Sequence, residues 1–155
     1  MSDWSQYGLK VPKAALKPSA GNVAYWLKQA DSAWGKLIHA MYPVCCVGNE
    51  DCKGSVEAHH LISRQIRCVR HLPENGVCLC AYHHRWSPHL SPHMGPIGFA
   101  EWLQEERPEQ YEWYREHRYT WSKNYNYRDS FVRLQDLLRI FPSHPVWREG
   151  RITFE

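Results

Sequence analysis

No apolar run in the 155-residue chain approaches the roughly 20 residues that a membrane-spanning helix requires. The first residues, MSDWSQYGLKVPK, lack the continuous apolar stretch of a secretory signal. Neither a membrane protein nor a signal-bearing secreted one is expected. There is no internal repeat and no low-complexity tract, which excludes a repeat architecture. Excess charge is small as well: 19 Lys and Arg against 16 Asp and Glu leave +3 with the histidines neutral, too little to mark a nucleic-acid binder. A zinc-dependent nucleobase deaminase would need a His-x-Glu beside a Pro-Cys-x2-Cys, and the chain has neither. What remains, with 43% hydrophobic and 23% charged residues, is an ordinary globular composition, long enough for one compact domain or a small core with arms.

Three residue types are in excess: six Cys, ten His and eight Trp. Every cysteine lies between Cys45 and Cys80, and seven of the histidines lie between His59 and His93. A disulfide scaffold would spread its cysteines along the chain in a secreted context. Two ligand types gathered in one third of the chain point to metal instead.

Around this segment the chain reads as follows. Residues 1–21 form a basic arm, broken by Pro12, Pro18 and Gly21 and carrying Lys10, Lys13 and Lys17. From Asn22 to Met41, Val23, Trp26, Leu27, Ala30, Ala33, Trp34, Leu37 and Ile38 recur at spacings of three and four, which predicts an amphipathic helix. Turn residues from Gly48 to Gly54 form a knuckle, followed by one strand within Val56–Ile62 and another at Gly76–Cys80. Ala81–Trp86 reads as the first turns of a helix, disturbed at Pro88. Further helices are expected from about Ile97, from Pro108 and over Ser130–Phe141. The fold class is therefore α+β. A small zinc-stapled ββα core, a β-hairpin plus a helix at about 44–92, is expected to be framed by an N-terminal helix and a C-terminal helical extension at about 97–141, all within one domain over 22–155.

Cys46-x5-Cys52, or Cys45-x6-Cys52, supplies one pair of thiols, and Cys80-x2-His83 supplies a second pair about thirty residues on. Thiolate and imidazole are the donors that structural zinc prefers, four in a tetrahedron. His59 and His60 are neighbours on a strand and so point to opposite faces. His83 and His84 lie about 100° apart on a helix, so each can serve a different ion.

The string EAHHLISRQ…ENGVCLCAYHHRW, with His59-His60, Asn75, Cys80-x2-His83 and His84, resembles the HNH endonucleases of the ββα-metal nuclease superfamily, and within them a phage-type recombination or DNA-processing branch. The resemblance covers about Cys45 to Trp86. Three positions depart from the pattern: His59 stands where many relatives have Asp, His83 replaces the usual final zinc cysteine, and no clear third ligand follows His84, with His89 or His93 as candidates. The resemblance implies hydrolysis of DNA phosphodiesters. His59 and His84, with His89, would hold a catalytic divalent ion (Mn²⁺, Ni²⁺, Mg²⁺ or Zn²⁺). His60 would be the general base, and Asn75 would accept a hydrogen bond from its second ring nitrogen. By their spacing, Cys46 (or its rival Cys45), Cys52, Cys80 and His83 would hold the structural Zn²⁺.

Arg64, Arg67, Arg70 and Arg85 are the candidate DNA contacts, because guanidinium groups pair with phosphates. Aromatics from Tyr111 to Tyr127, above all Trp121–Tyr127, are candidates for stacking on unpaired bases. The expected partners are DNA and phage recombination or DNA-processing proteins, in the cytoplasm of a host cell. A single centre that must cut both strands would favour a homodimer. The alternative is a zinc-stapled DNA-binding module without catalysis.

Overall fold

The computed structural model describes residues 23–122, 125–140 and 145–154. The stretch 1–21, expected from the sequence to be a basic arm, lies outside the described residues. The elements are α1 (Val23–Met41), β1 (Val56–His60), β2 (Gly76–Cys80), α2 (Pro96–Glu106), α3 (Pro108–His117), α4 (Tyr127–Ile140), β3 (Pro145–Arg148) and β4 (Arg151–Phe154). Both sheets are antiparallel two-stranded ribbons. The architecture is α+β. No described helix is long and apolar enough to cross a membrane.

The antiparallel pair β1–β2 runs in register from Val56 opposite Cys80 to His60 opposite Gly76. All five residues of β2 are buried, because it is covered on both faces. Cys78 faces a core built from Ala30, Trp34, Leu37 and Ile38 of α1 together with Leu134 and Leu137 of α4. Val77 and Leu79 face a second core with Phe99, Trp102 and Leu103 of α2. Two strands alone bury too little apolar surface to be stable, and the helices supply the rest. Gly76 permits the close approach of α1. A Cβ there would collide with the Ile38 side chain and come within 2.8 Å of Trp34 Cζ2.

The C-terminal hairpin β3–β4 is not anticipated by the sequence reading. It turns at Glu149 (φ 50°) and Gly150 (φ 75°), the two left-handed residues of a tight hairpin turn. Ile152 is fully buried in the α1–α4 core, and its backbone N–H donates to Glu74 Oε1 at 3.0 Å. Gln110 Nε2 on α3 donates to the carbonyls of Glu74 and Gly76, both at 2.9 Å. Hairpin and helix together therefore brace the segment that enters β2.

Candidate functional site

The knuckle before β1 is folded by backbone groups. Cys46 N donates to Cys78 O at 2.8 Å, Cys52 N donates to Asn49 O, and Gly48 and Gly54 take positive φ values of 62° and 83°. After β2 the chain makes one wide turn, Tyr82–Trp86, closed by Ser87 N to Tyr82 O at 2.9 Å. These two pieces bring Cys45, Cys52, Cys80 and His83 together, with their ligand atoms within 4.8 Å of one another. His83 Nδ1 lies 3.6, 3.6 and 3.3 Å from the sulfurs of Cys45, Cys52 and Cys80. A tetrahedral zinc with bonds of about 2.3 Å to sulfur and about 2.05 Å to nitrogen would set that separation near ~3.5 Å. This cluster can hold a structural metal such as zinc.

Of the two rival cysteines, Cys45 is the one in the cluster. Cys46 is not: its backbone is pinned to β2 and its side chain packs between the two cores, where burial pushes its thiol pKa up. Within the cluster, burial and the Cys45 thiol push Cys52 up to about 11. At Cys80 burial opposes ionisation, but the backbone N–H groups of His83 and Lys53, with the thiols of Cys45 and Cys52, together lower the pKa.

A second cluster unites His59, His84 and His93. His59 Nδ1 and His84 Nε2 stand 3.1 Å apart, within the range of about 2.9–3.4 Å expected for two imidazoles on one ion. Glu57 Oε2 accepts from His84 Nδ1–H at 2.6 Å, which leaves the His84 Nε2 lone pair directed at His59. Glu57 is absent from the sequence-based site. Its place two residues before His59, on the same face of β1, is the signal that could have identified it.

The third member is His93, and His89 stays outside. Pro88 stops the wide turn, and Ser91 then redirects the chain. Its hydroxyl donates to His84 O at 2.8 Å and accepts from His93 N at 3.1 Å, folding His93 back over His84. His89 is exposed and instead lines a groove with Met94, Gly95 and Trp102.

His60 faces the other side of the strand. Its ring stacks on Trp34 of α1 with centroids 3.7 Å apart and planes 14° from parallel. Nε2–H donates to the Arg70 carbonyl at 2.9 Å, so Nδ1 carries the lone pair. The expectation that Asn75 orients His60 is corrected. Asn75 is fully buried, accepts from Ile62 N at 2.6 Å, and donates to Ile62 O and Val69 O at 3.2 and 3.1 Å. It ties the two ends of the 62–75 loop together and makes no hydrogen bond with His60, because the loop turns its amide inward.

The arginines divide. Arg64 and Arg67 are exposed on this loop. Arg70 is held by both oxygens of Asp31, at 2.8 and 2.6 Å, and Arg85 is paired with Glu57. Neither of these two is an uncommitted phosphate contact. Among the aromatics, Tyr119 and Trp121 are strongly exposed, whereas Tyr125 and Tyr127 pack around His71.

Burial holds His59 and His60 down to about 3, with the His84 and His93 charges adding to the effect at His59, and burial lowers His71 as well. These rings are therefore neutral when folded, whereas in the unfolded chain they take up protons below about pH 6.5. The contribution of His59 and His60 to stability is complete above that pH and is lost as the pH falls toward 3, and that of His71 is lost in the same direction. Each costs up to about 1.4 kcal/mol per pH unit. The urea midpoint of the metal-loaded protein should drop between pH 7 and pH 5 through His60 and His71, with the metal content checked at each point. A midpoint constant over that interval would mean that the rings are already charged in the fold.

The chain matches no family model, no curated protein and no solved structure.

Proposed function

We propose that the protein is a metal-dependent endonuclease of HNH type that hydrolyses DNA phosphodiester bonds, in the setting of phage recombination or DNA processing. The observation that carries this reading is the His59–His84 pair at 3.1 Å, with His93 beside it and Glu57 fixing the His84 tautomer, one residue away from a differently directed His60. A binding module has no use for that second cluster. A divalent ion held by these three histidines would neutralise charge at phosphorus and assist the departing oxygen.

The chain's own residues do the rest. His60 Nδ1 takes the proton of the attacking water while Nε2–H stays on the Arg70 carbonyl. The Trp34 face beneath it favours the imidazolium that forms, and the approach of an anionic phosphate raises the His60 pKa from its buried value. Asn75 holds the loop closed, and Arg64 and Arg67 meet the backbone of the DNA. The expected products are a 5′-phosphate and a 3′-hydroxyl.

Imidazole ligands favour Mn²⁺ or Ni²⁺ over Mg²⁺. Supercoiled plasmid should therefore be nicked faster with Mn²⁺ or Ni²⁺ than with Mg²⁺ over a full titration, and His84→Ala should lose the activity. Equal activity with Mg²⁺ would argue against a histidine ligand set. No nicking with any metal, while DNA still shifts in a gel, would leave only the zinc-stapled binding module.

A further inference from the structure

Asp31 lies on α1 and belongs to neither cluster, yet it collects three hydrogen bonds from two residues of the loop that carries the partner of His60. Arg70 Nε and Nη2 donate to its two oxygens at 2.8 and 2.6 Å, and His71 Nε2–H donates to Oδ1 at 2.8 Å. The carboxylate pKa is held well below its usual range: burial opposes this, but the hydrogen bonds from His71 and Arg70 prevail. Arg70 also donates through Nη1 to the Arg64 carbonyl at 3.0 Å. One helical turn along α1, Trp34 Nε1 donates to Leu72 O at 3.0 Å, and its ring is the surface on which His60 lies. His71 is fully buried, and Tyr125 donates to its Nδ1 at 3.4 Å. Residues 70–72 are therefore fastened to α1 at three points, and between them the Arg70 carbonyl points at His60 Nε2.

We infer that Asp31 is a positioning residue for His60: by clamping Arg70 and His71 it fixes the carbonyl that selects the Nε2–H tautomer and leaves Nδ1 as the basic nitrogen. The inference rests on the reading of His60 as the base. Its physical content is a choice between two ring isomers. A neutral imidazole carries its proton on either nitrogen, and the hydrogen bond made by one nitrogen decides the matter. A carbonyl accepts only, so a rigid one enforces N–H on the side it faces. If the loop is released, that constraint relaxes. The same ion pair accounts for why Arg70 is unsuited to gripping phosphate, since Asp31 already occupies its fork.

The test uses the zinc-loaded full chain above pH 7.5, where imidazoles are neutral, and reads the ring ¹⁵N shifts of His60. The parent should show one tautomer, protonated at Nε2. Asp31→Asn should show the two ring shifts moving toward each other as both tautomers become populated. In nicking assays with Mn²⁺, kcat of Asp31→Asn should fall about tenfold while KM changes by less than about twofold, and Asp31→Glu should recover part of the loss. Should Asp31→Asn fail to fold, Arg70→Gln removes the same clamp from the other side and keeps the backbone carbonyl. Unchanged His60 shifts in the folded variant, or a parent ring protonated at Nδ1, would overturn the inference. A KM that falls strongly in Asp31→Asn would overturn it too, by showing that the freed Arg70 is a DNA contact that Asp31 merely masks. A parent that does not cut DNA would sink the nuclease reading, and the tautomer measurement would still decide the role of Asp31.

Discussion

Cys45→Ser should unfold the protein at ambient temperature, whereas Cys46→Ser should leave it folded with its metal. Zinc-finger peptides bind structural zinc with on the order of 10–16 kcal/mol, which matches or exceeds the net stability of a domain, about 5–15 kcal/mol. Here the metal would tie a knuckle with little regular structure to the end of a two-stranded sheet, with Cys45 and Cys52 on one side and Cys80 and His83 on the other. Loss of one sulfur leaves three donors and releases the knuckle. Cys46 contributes its backbone N–H to Cys78 O, and a serine keeps that bond. Far-UV circular dichroism with elemental analysis of both variants checks the contrast, and a strong chelator should reproduce the Cys45→Ser result in the parent. Zinc lost from Cys46→Ser but kept in Cys45→Ser would mean that the ligand set is wrong.

That contrast also marks where sequence reasoning stops. Helices α1 and α4 are legible because Trp34, Leu37, Ile38, Leu134 and Leu137 recur at the helical period, and the burial of those residues follows from it. Strand β2 is legible as an apolar run between turn residues. The choice between Cys45 and Cys46 is not, since adjacent residues in an irregular knuckle differ only in the direction imposed by the Cys46–Cys78 backbone bond. Likewise, the spacing after His84 cannot separate His89 from His93. Ser91 makes that decision through hydrogen bonds to His84 and His93 that no periodicity encodes. Asn75 and Asp31 act on residues 13 and 39–40 positions away, so their tasks depend on the loop closure itself. The β3–β4 hairpin is hidden for a simpler reason. Each strand has only four residues, and Glu-Gly at its turn is a weaker signal than Asn-Gly.

His60→Ala should lower the nicking rate at saturating DNA by about 10²–10⁴-fold, the range typical of an oriented proton transfer. It should do so without loss of structural metal and without loss of DNA affinity. His60 belongs to neither cluster, so its removal leaves Cys45, Cys52, Cys80, His83 and the His59–His84–His93 group in place. The informative comparison is with His93→Ala. His93 is the exposed member of the second cluster, and its removal should weaken the hold on the ion, so that raising Mn²⁺ restores most of the rate. On the proposed reading no concentration of metal should restore His60→Ala, because the missing part would be a proton acceptor and not a ligand. His89→Ala should behave as the parent does. If added Mn²⁺ rescued His60→Ala and failed to rescue His93→Ala, the roles of the two imidazoles would be exchanged, and the base would have to be sought on the α2 side of the strand.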